Sequence, residues 1–271
     1  MNNKIFDGKA ESLIIKKEVK ESLKKQNVSP TLGIIQVGDD RFSNIFIREK
    51  IKFAQDIGIN IIYQKLDKGY NNLVVEIEKF NKDANIKAFL VQLPIVGLED
   101  TVVLDNISPD KDIDCLTKTN YNKLLSGEYI FSPGVYSAFL YIFKKCKLPK
   151  SSNILVIGSG FVGLPISNYL IQNKYNVTVL DKYAEKADII NFSKLSDMVI
   201  FTAGVSSVIK KNDIKEGSFL INIGQSANFD GSISGGIDED CIEKSSLFVP
   251  SKGGIGPLTV AMLFRNLCNI F

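Results

Sequence analysis

The 271-residue sequence contains no histidine. That removes the side chain that most often works as a general base near neutral pH and most often ligates a metal. Proton transfer near pH 7 must then fall to lysine, carboxylate, tyrosine or cysteine. Cysteine is scarce and scattered. Cys115, Cys146, Cys241 and Cys268 form no CxxC pair, so neither a disulfide framework nor a zinc site is expected, and a reducing cytoplasm is the expected location. No apolar run approaches the roughly 20 residues of a membrane span. The start, "MNNKIFDGKAESLIIKKEVK", lacks the apolar centre of a signal peptide. No charge sign dominates: 33 basic residues face 30 acidic ones, a net of +3, and the basic residues are spread out. This argues against a nucleic-acid footprint and is compatible with a small acidic substrate. No internal repeat and no low-complexity tract is present.

What is present is a globular composition, 45% hydrophobic and 23% charged. The length suits two ordinary domains or one large one. Helical patterns alternate with short apolar runs. Residues 10–26 read as a helix, "TLGIIQVG" as a buried strand and Ser43 to Gly58 as a second helix. "INIIYQKL", "NLVVEIEKF" and "KAFLVQLP" then read as strand, helix and strand. This is the rhythm of βαβ units with a parallel sheet. A polar stretch, "SPDKDIDCLTKTNYNKLLSGEYIFSPG", interrupts it, and a domain boundary is placed at its end. A helix over 135–147 leads out. Strands "NILVIG", "NVTVLD", "DMVIFTAG", "GSFLINIG" and "SLFVP" follow, with a helix from Val162 and a last helix started near Pro257. The expected fold is α/β: two α/β domains flanking a cleft, the second with a Rossmann-type parallel sheet. Residues 1–133 make the first domain, 134–256 the second, and 257–271 a helix packing back on the first.

Four places carry chemistry. In "ILVIGSGFVGLP", Gly158, Gly160 and Gly163 form GxGxxG between an apolar strand and a helix, and Asp181 closes the next strand. Such a turn lets backbone approach a pyrophosphate at a helix N-terminus, and such an aspartate can bind a ribose 2′-hydroxyl. A plain glycine turn in a sheet without nucleotide gives the same pattern. In "SNIFIREKIKFAQDIG", Phe46, Ile47, Ala54 and Ile57 draw an apolar stripe with Lys50 inside it. The lysine either snorkels to water or is aimed at a cleft. Gln92, at the end of a strand in "VQLP", stands where parallel sheets present residues to ligands, though it can equally cap the strand. "DKDIDCL" offers Asp110, Asp112 and Asp114. These are either a solvated acidic loop or a cation site, but calcium is excluded because the glycine and final glutamate of an EF-hand are missing. "KGGIGPLTVAML" sets Gly253, Gly254, Gly256 and Pro257 before the last helix, as a ligand-hugging loop or a hinge, with Thr259 as cap or contact.

In order and spacing these segments resemble the bifunctional methylenetetrahydrofolate dehydrogenase/cyclohydrolases of the bacterial folate type. "VGDDRFSNIFIREKIKFAQDIGI" is similar to that family's tyrosine–lysine segment, "VQLP" to its glutamine motif, "SPDKDIDCLTKTNYNKLLSGE" to its aspartate loop and "GGIGPLTVAML" to its C-terminal signature. The resemblance implies a catalytic set of Lys50, Gln92 and Asp114. It implies folate contacts from Phe46, Ser43, Gly254, Pro257 and Thr259. For the nucleotide it implies Gly158, Ser159, Gly160, Phe161, Val162 and Gly163, with Asp181, Lys182, Ala203 and Gly204. The implied activity oxidises 5,10-methylenetetrahydrofolate with NAD or NADP and hydrolyses the methenyl product to 10-formyltetrahydrofolate, in the one-carbon metabolism that feeds purine synthesis. The implied partners are tetrahydrofolates and a second copy of the chain as a homodimer, with no metal, nucleic acid or membrane.

The departures are specific. Phe46 stands where the family usually has tyrosine, Cys115 where glycine follows the aspartate, and Lys252 where the glycine loop has proline. The family's Pro-Cys-Thr-Pro survives as Ser132-Pro133. The nucleotide loop is one residue shorter, and Asp181 replaces a residue that is often histidine. Asp181 favours NAD, whereas the family's bacterial members mostly use NADP. Two alternatives follow: a Rossmann dehydrogenase of another small acid, shikimate-like, and a relative that binds its ligands but has lost one activity.

Overall fold

A computed structural model describes residues 4–67, 69–98, 101–227 and 233–268. The chain divides into two compact units. One is Ser12–Gly134 with the chain from Val260 onward; the other is Val135–Thr259 with the N-terminal residues up to Glu11. The sequence counts residues 1–11 with the first unit; of these, the described residues 4–11 group with the second.

In the first unit the order is α1 (Gly8–Gln26), β1 (Thr31–Val37), α2 (Arg41–Ile57), β2 (Asn60–Leu66), α3 (Tyr70–Lys82), β3 (Ile86–Gln92) and α4 (Lys118–Ser126). The sheet is parallel, in the order β2-β1-β3. With β1 in the middle, its residues from Leu32 to Val37 are all buried, which explains an apolar run interrupted by the single polar residue Gln36. Ile35, Val37, Phe89 and Val91 of the sheet share a core with Leu73, Ile77 and Phe80 of α3. The helix α2 starts where the Asp40 carboxylate accepts the Ser43 N–H at 2.8 Å, and stops at Gly58 in left-handed conformation (φ 83°). Phe53 of α2 stacks on Phe264 at 5.0 Å, and Asn266 donates to the Ser132 carbonyl at 2.6 Å. The C-terminal residues are held in this unit by such contacts.

The polar stretch after β3 is less irregular than its composition suggests. Its start lies along the outer edge of β3: Phe89 pairs in parallel with Asp112 and donates its N–H to the Lys111 carbonyl at 2.8 Å. It then forms α4, which no periodicity in the sequence announces. Thr117 caps α4 and Gly127 ends it in left-handed conformation. The helix is nine residues long and presents Asn120 and Leu124 inward. Two positions are too few to draw a stripe.

The second unit opens with helix α5 (Gly134–Cys146). It contains β4 (Asn153–Ile157), α6 (Gly163–Gln172), β5 (Asn176–Leu180), α7 (Lys186–Leu195), β6 (Met198–Phe201) and β7 (Phe219–Asn222). A short antiparallel pair, β8 (Ser226–Ala227) and β9 (Ile233–Ser234), precedes β10 (Leu247–Val249) and α8 (Gly256–Cys268). Five strands form a parallel sheet in the order β10-β7-β6-β4-β5. After β5 the chain returns to the other side of β4, so a switch point lies between β4 and β6, where doubly wound sheets bind ligands. The helix α7 is another element absent from the sequence reading. It buries only Ser193, so it carries no apolar stripe to read. Among the described residues no helix is long and apolar enough to cross a membrane.

Candidate active site

Lys50 lies on the inward face of α2 because the residues around it put that face inward. Ser43, Ile47, Lys50, Phe53, Ala54 and Ile57 are the buried positions of the helix. Lys50 is only 5% exposed. Its Nζ donates to Oε1 of Gln92, the last residue of β3, at 2.9 Å. Gln92 in turn donates from Nε2 to the Leu93 carbonyl at 2.9 Å. That second bond decides which way the amide faces, so the carbonyl side is turned to the lysine. Ser43 donates its hydroxyl to the same Leu93 carbonyl at 3.2 Å. Burial pushes the Lys50 ammonium well below the ordinary lysine value of 10.5, and the Asp114 carboxylate opposes part of that shift. Of the two readings of this lysine, snorkelling is removed. Phe46, one turn earlier on the same side of the helix, is half-buried.

The three carboxylates of the acidic loop part company. Asp110 is exposed. Asp112 is fully buried and accepts from the Leu116 N–H (2.8 Å), the Thr117 N–H (2.9 Å), the Thr117 hydroxyl (2.8 Å) and the Asn120 amide (3.2 Å). Burial raises its pKa against those hydrogen bonds. Asp114 is half-buried, and its Oδ1 accepts the Gly134 N–H at 3.0 Å. Asp112 therefore ties the loop together, while Asp114 is the carboxylate whose charge reaches Lys50. Between the loop's turns sits Cys115, at φ 53° and wholly buried, its thiol donating to the Phe131 carbonyl at 3.0 Å. Burial drives that thiol far above its ordinary value. A thiol held neutral is no nucleophile.

Lys50, Gln92, Asp114 and Ser43 thus come together in the first unit, from positions 7 to 71 residues apart in sequence. Gly254, Pro257 and Thr259 lie in the second unit. A Cβ on Gly254 would meet the Pro250 ring at 2.8 Å, and the Thr259 hydroxyl donates to the Ile255 carbonyl at 3.0 Å. Pro257 sits in the first turn of α8.

The glycine turn follows β4 at the switch point. Gly158 has φ 104°, and a Cβ there would come within 2.3 Å of the Thr202 hydroxyl. A Cβ on Gly163 would come within 1.8 Å of the Gly158 carbonyl oxygen. These two glycines are required by the protein itself. Gly160 is different: a Cβ there would meet nothing within 4 Å. The open space beside an exposed glycine, at the start of α6, fits a pyrophosphate, since the first N–H groups of a helix point outward. Ser159 and Phe161 flank it exposed, and Val162 is half-buried. Thr202, which the sequence analysis does not single out, ties the loop after β6 to this turn. Its N–H and hydroxyl both reach the Ile157 carbonyl, at 2.8 and 2.9 Å. Ala203 and Gly204 follow it. Asp181 is exposed at the end of β5, with Oδ1 accepting the Tyr183 N–H at 2.9 Å. Lys182 places its ammonium over the Tyr183 ring, 5.0 Å from the centroid.

Comparison with known proteins meets this geometry. The family model described as the tetrahydrofolate dehydrogenase/cyclohydrolase catalytic domain matches residues 6–114, and that of the NAD(P)-binding domain matches residues 137–271. The chain is 35% identical over 272 residues to the bifunctional protein FolD of Campylobacter concisus, covering 97% of this chain and 95% of the relative. It is 34% identical over 276 residues to that of Bacillus licheniformis, covering 98% and 96%. Among solved structures it is similar to the methylenetetrahydrofolate dehydrogenase-cyclohydrolase of Trypanosoma brucei, determined with NADP and an inhibitor. The TM-score is 0.90 and the identity 27%, over 98% of this chain and 96% of that one.

Proposed function

The chain belongs to the tetrahydrofolate dehydrogenase/cyclohydrolase family, and from that premise we propose how its residues divide the work. It is a methylenetetrahydrofolate dehydrogenase and methenyltetrahydrofolate cyclohydrolase of one-carbon metabolism. When bound, NAD(P) supplies the hydride acceptor for the first step. The turn from Gly158 to Gly163 and the start of α6 hold its pyrophosphate, and Ala203 and Gly204 line its path. The protein's part in that step is positioning.

The second step adds water to the methenyl cation and opens the ring to 10-formyltetrahydrofolate. It needs a group that gives and takes protons near neutral pH, and no histidine is available. Lys50 is that group. A lysine in water is almost wholly charged at pH 7, and each unit by which its pKa falls disfavours the charged form by about 1.4 kcal/mol. Burial acts in that direction, and a cationic substrate beside it acts further in the same sense. Gln92 directs the amine, Asp114 accepts from the pterin N–H groups, and Phe46 stacks on the ring system without donating a proton. The observation that carries the assignment is the buried 2.9 Å bond from Lys50 to a glutamine whose own orientation is fixed. Lys50→Met is expected to lose methenyl hydrolysis above the spontaneous rate while keeping hydride transfer. Wild-type hydrolysis in that variant would refute the role.

For the nucleotide, Asp181 favours NAD. Its carboxylate stands at the end of the second strand of the nucleotide sheet, where NAD-binding folds bind the ribose 2′-hydroxyl, and a 2′-phosphate there would meet like charge. Lys182 is engaged with the Tyr183 ring, which supports reading Asp181 as uncompensated. Expected are a higher kcat/KM with NAD than with NADP in wild type and a narrowed ratio in Asp181→Ser. A wild-type preference for NADP that survives this substitution would overturn the choice. The working unit is proposed to be a homodimer in the cytoplasm.

A further inference from the structure

The turn from Gly158 to Gly163 is held from both neighbouring strands of its sheet. From β5, the Leu180 carbonyl accepts the Gly158 N–H at 2.7 Å. From the loop after β6, Thr202 reaches it twice. The Thr202 N–H donates to the Ile157 carbonyl at 2.8 Å, and the Thr202 hydroxyl lies 2.9 Å from the Ile157 carbonyl and 3.2 Å from that of Gly158. The hydroxyl has one proton, and the Ile157 carbonyl already has the N–H. What the hydroxyl alone adds is a donor to Gly158. It also fits sterically. A Cβ on Gly158 would come within 2.3 Å of this oxygen and a Cβ on Gly163 within 2.7 Å, so it fills the space that both glycines leave.

Thr202 is itself backed by the loop after β7, which packs on it backbone against backbone. The Ile223 and Gly224 N–H groups donate to the Phe201 carbonyl at 2.8 and 2.9 Å, and a Cβ on Gly224 would lie 1.9 Å from the Ala203 carbonyl oxygen. The hydroxyl is therefore a fixed anchor for the turn. A trans peptide is planar, with its carbonyl and its N–H pointing opposite ways. Holding the Gly158 carbonyl toward Thr202 turns the Ser159 N–H away from it. Without that hold the peptide is free to rotate, because Gly158, at φ 104°, has no side chain to restrict it. Among the described residues nothing accepts from the Ser159 N–H. Ser159 and Gly160 are both exposed, beside the open space that fits a pyrophosphate.

We propose that Thr202 is a positioning residue for the nucleotide: its hydroxyl fixes the peptide between Gly158 and Ser159 so that the Ser159 N–H is presented to the pyrophosphate. The inference rests on the nucleotide reading of this turn given above. Backbone N–H groups bind phosphate well only when they converge on it. A turn already set in that conformation does not have to be ordered at the moment of binding, and the affinity gained is the ordering avoided. The effect is bounded by the net worth of one hydrogen bond, about three- to tenfold in Kd. It belongs to affinity, so it shows in the nucleotide KM and not in kcat at saturating nucleotide.

The test titrates NADH and NADPH by fluorescence into wild type, Thr202→Ser and Thr202→Ala, with ADP-ribose as competitor. For each nucleotide that wild type binds, Thr202→Ala is expected to raise the Kd about three- to tenfold, whereas Thr202→Ser, which keeps the hydroxyl, should stay within about twofold. ADP-ribose has the pyrophosphate without the nicotinamide and should show the same loss in Thr202→Ala. An unchanged Kd in Thr202→Ala would overturn the proposal, even if its urea midpoint falls, because Thr202 would then support the fold alone. So would an equal loss in Thr202→Ser, or a loss confined to NADH and NADPH, which would put the effect at the nicotinamide end. Failure of wild type to bind either nucleotide would refute the nucleotide reading itself, and the proposal with it.

Discussion

Lys50 and Lys111 belong to the same unit, and each directs its ammonium into the protein, but they meet different company. Lys111 donates to three carbonyls, those of Phe80 at 3.0 Å, Asn81 at 2.8 Å and Asp83 at 2.8 Å. Three acceptors saturate an ammonium. They are also the last carbonyls of α3 and its cap, where the helix dipole favours positive charge. Lys50 is buried more deeply and, among the described residues, has a single amide oxygen as partner. The supply of acceptors decides what an inward lysine is for. Saturated, it seals a helix end; undersupplied, it gives up charge readily and can do proton chemistry.

Breaking the comparison at Lys50 has the largest expected effect. Lys50→Met should cost the whole general acid–base contribution to methenyl hydrolysis, about 10²- to 10⁴-fold, measured as decay of methenyl absorbance. Lys111→Met should leave that rate within about twofold per folded molecule, because its partners are structural carbonyls.

In stability the order reverses. Lys111→Met leaves three carbonyls short of a charged donor and should cost about 2 kcal/mol in denaturant unfolding. Lys50→Met should stabilise at pH 7. The native pKa of Lys50 lies below its unfolded value, so the unfolded chain binds more protons between the two values. Wild-type stability therefore rises with pH from the lowered value up to about 10.5, by about 1.4 kcal/mol for each unit of lowering. The methionine variant lacks that rise, and urea midpoints from pH 6 to 10 measure it.

A finer adjustment is Asp114→Asn. The carboxylate raises the Lys50 pKa, so its removal should move the acid limb of the hydrolysis rate to lower pH, by up to about one unit. A limb that stays in place would separate Asp114 from Lys50. The smallest effect is expected for Cys115→Gly. Glycine relieves the left-handed backbone at φ 53° but gives up the buried thiol and its bond to the Phe131 carbonyl. The net change in stability should stay within about 1 kcal/mol.

The sequence by itself determined the features that repeat locally or need only neighbours. Strand–helix alternation, the glycine turn after β4, the acidic residue ending β5 and the lysine inside an apolar stripe were all legible, because periodicity and turn chemistry act over a few residues. The helices α4 and α7 were not, since each turns too few apolar residues inward to draw a stripe. Tertiary structure alone decided what Lys50 meets, because Gln92 lies 42 residues away and its amide is oriented by the next residue's carbonyl. It also decided which aspartate of "DKDID" is structural. Pairing along β3 turned Asp112 into the loop's own hydrogen-bond centre and left Asp114 half-buried, its charge acting on the lysine. Identical side chains two residues apart look alike in sequence. Burial and the supply of partners separate them, and both are set by chain segments far away.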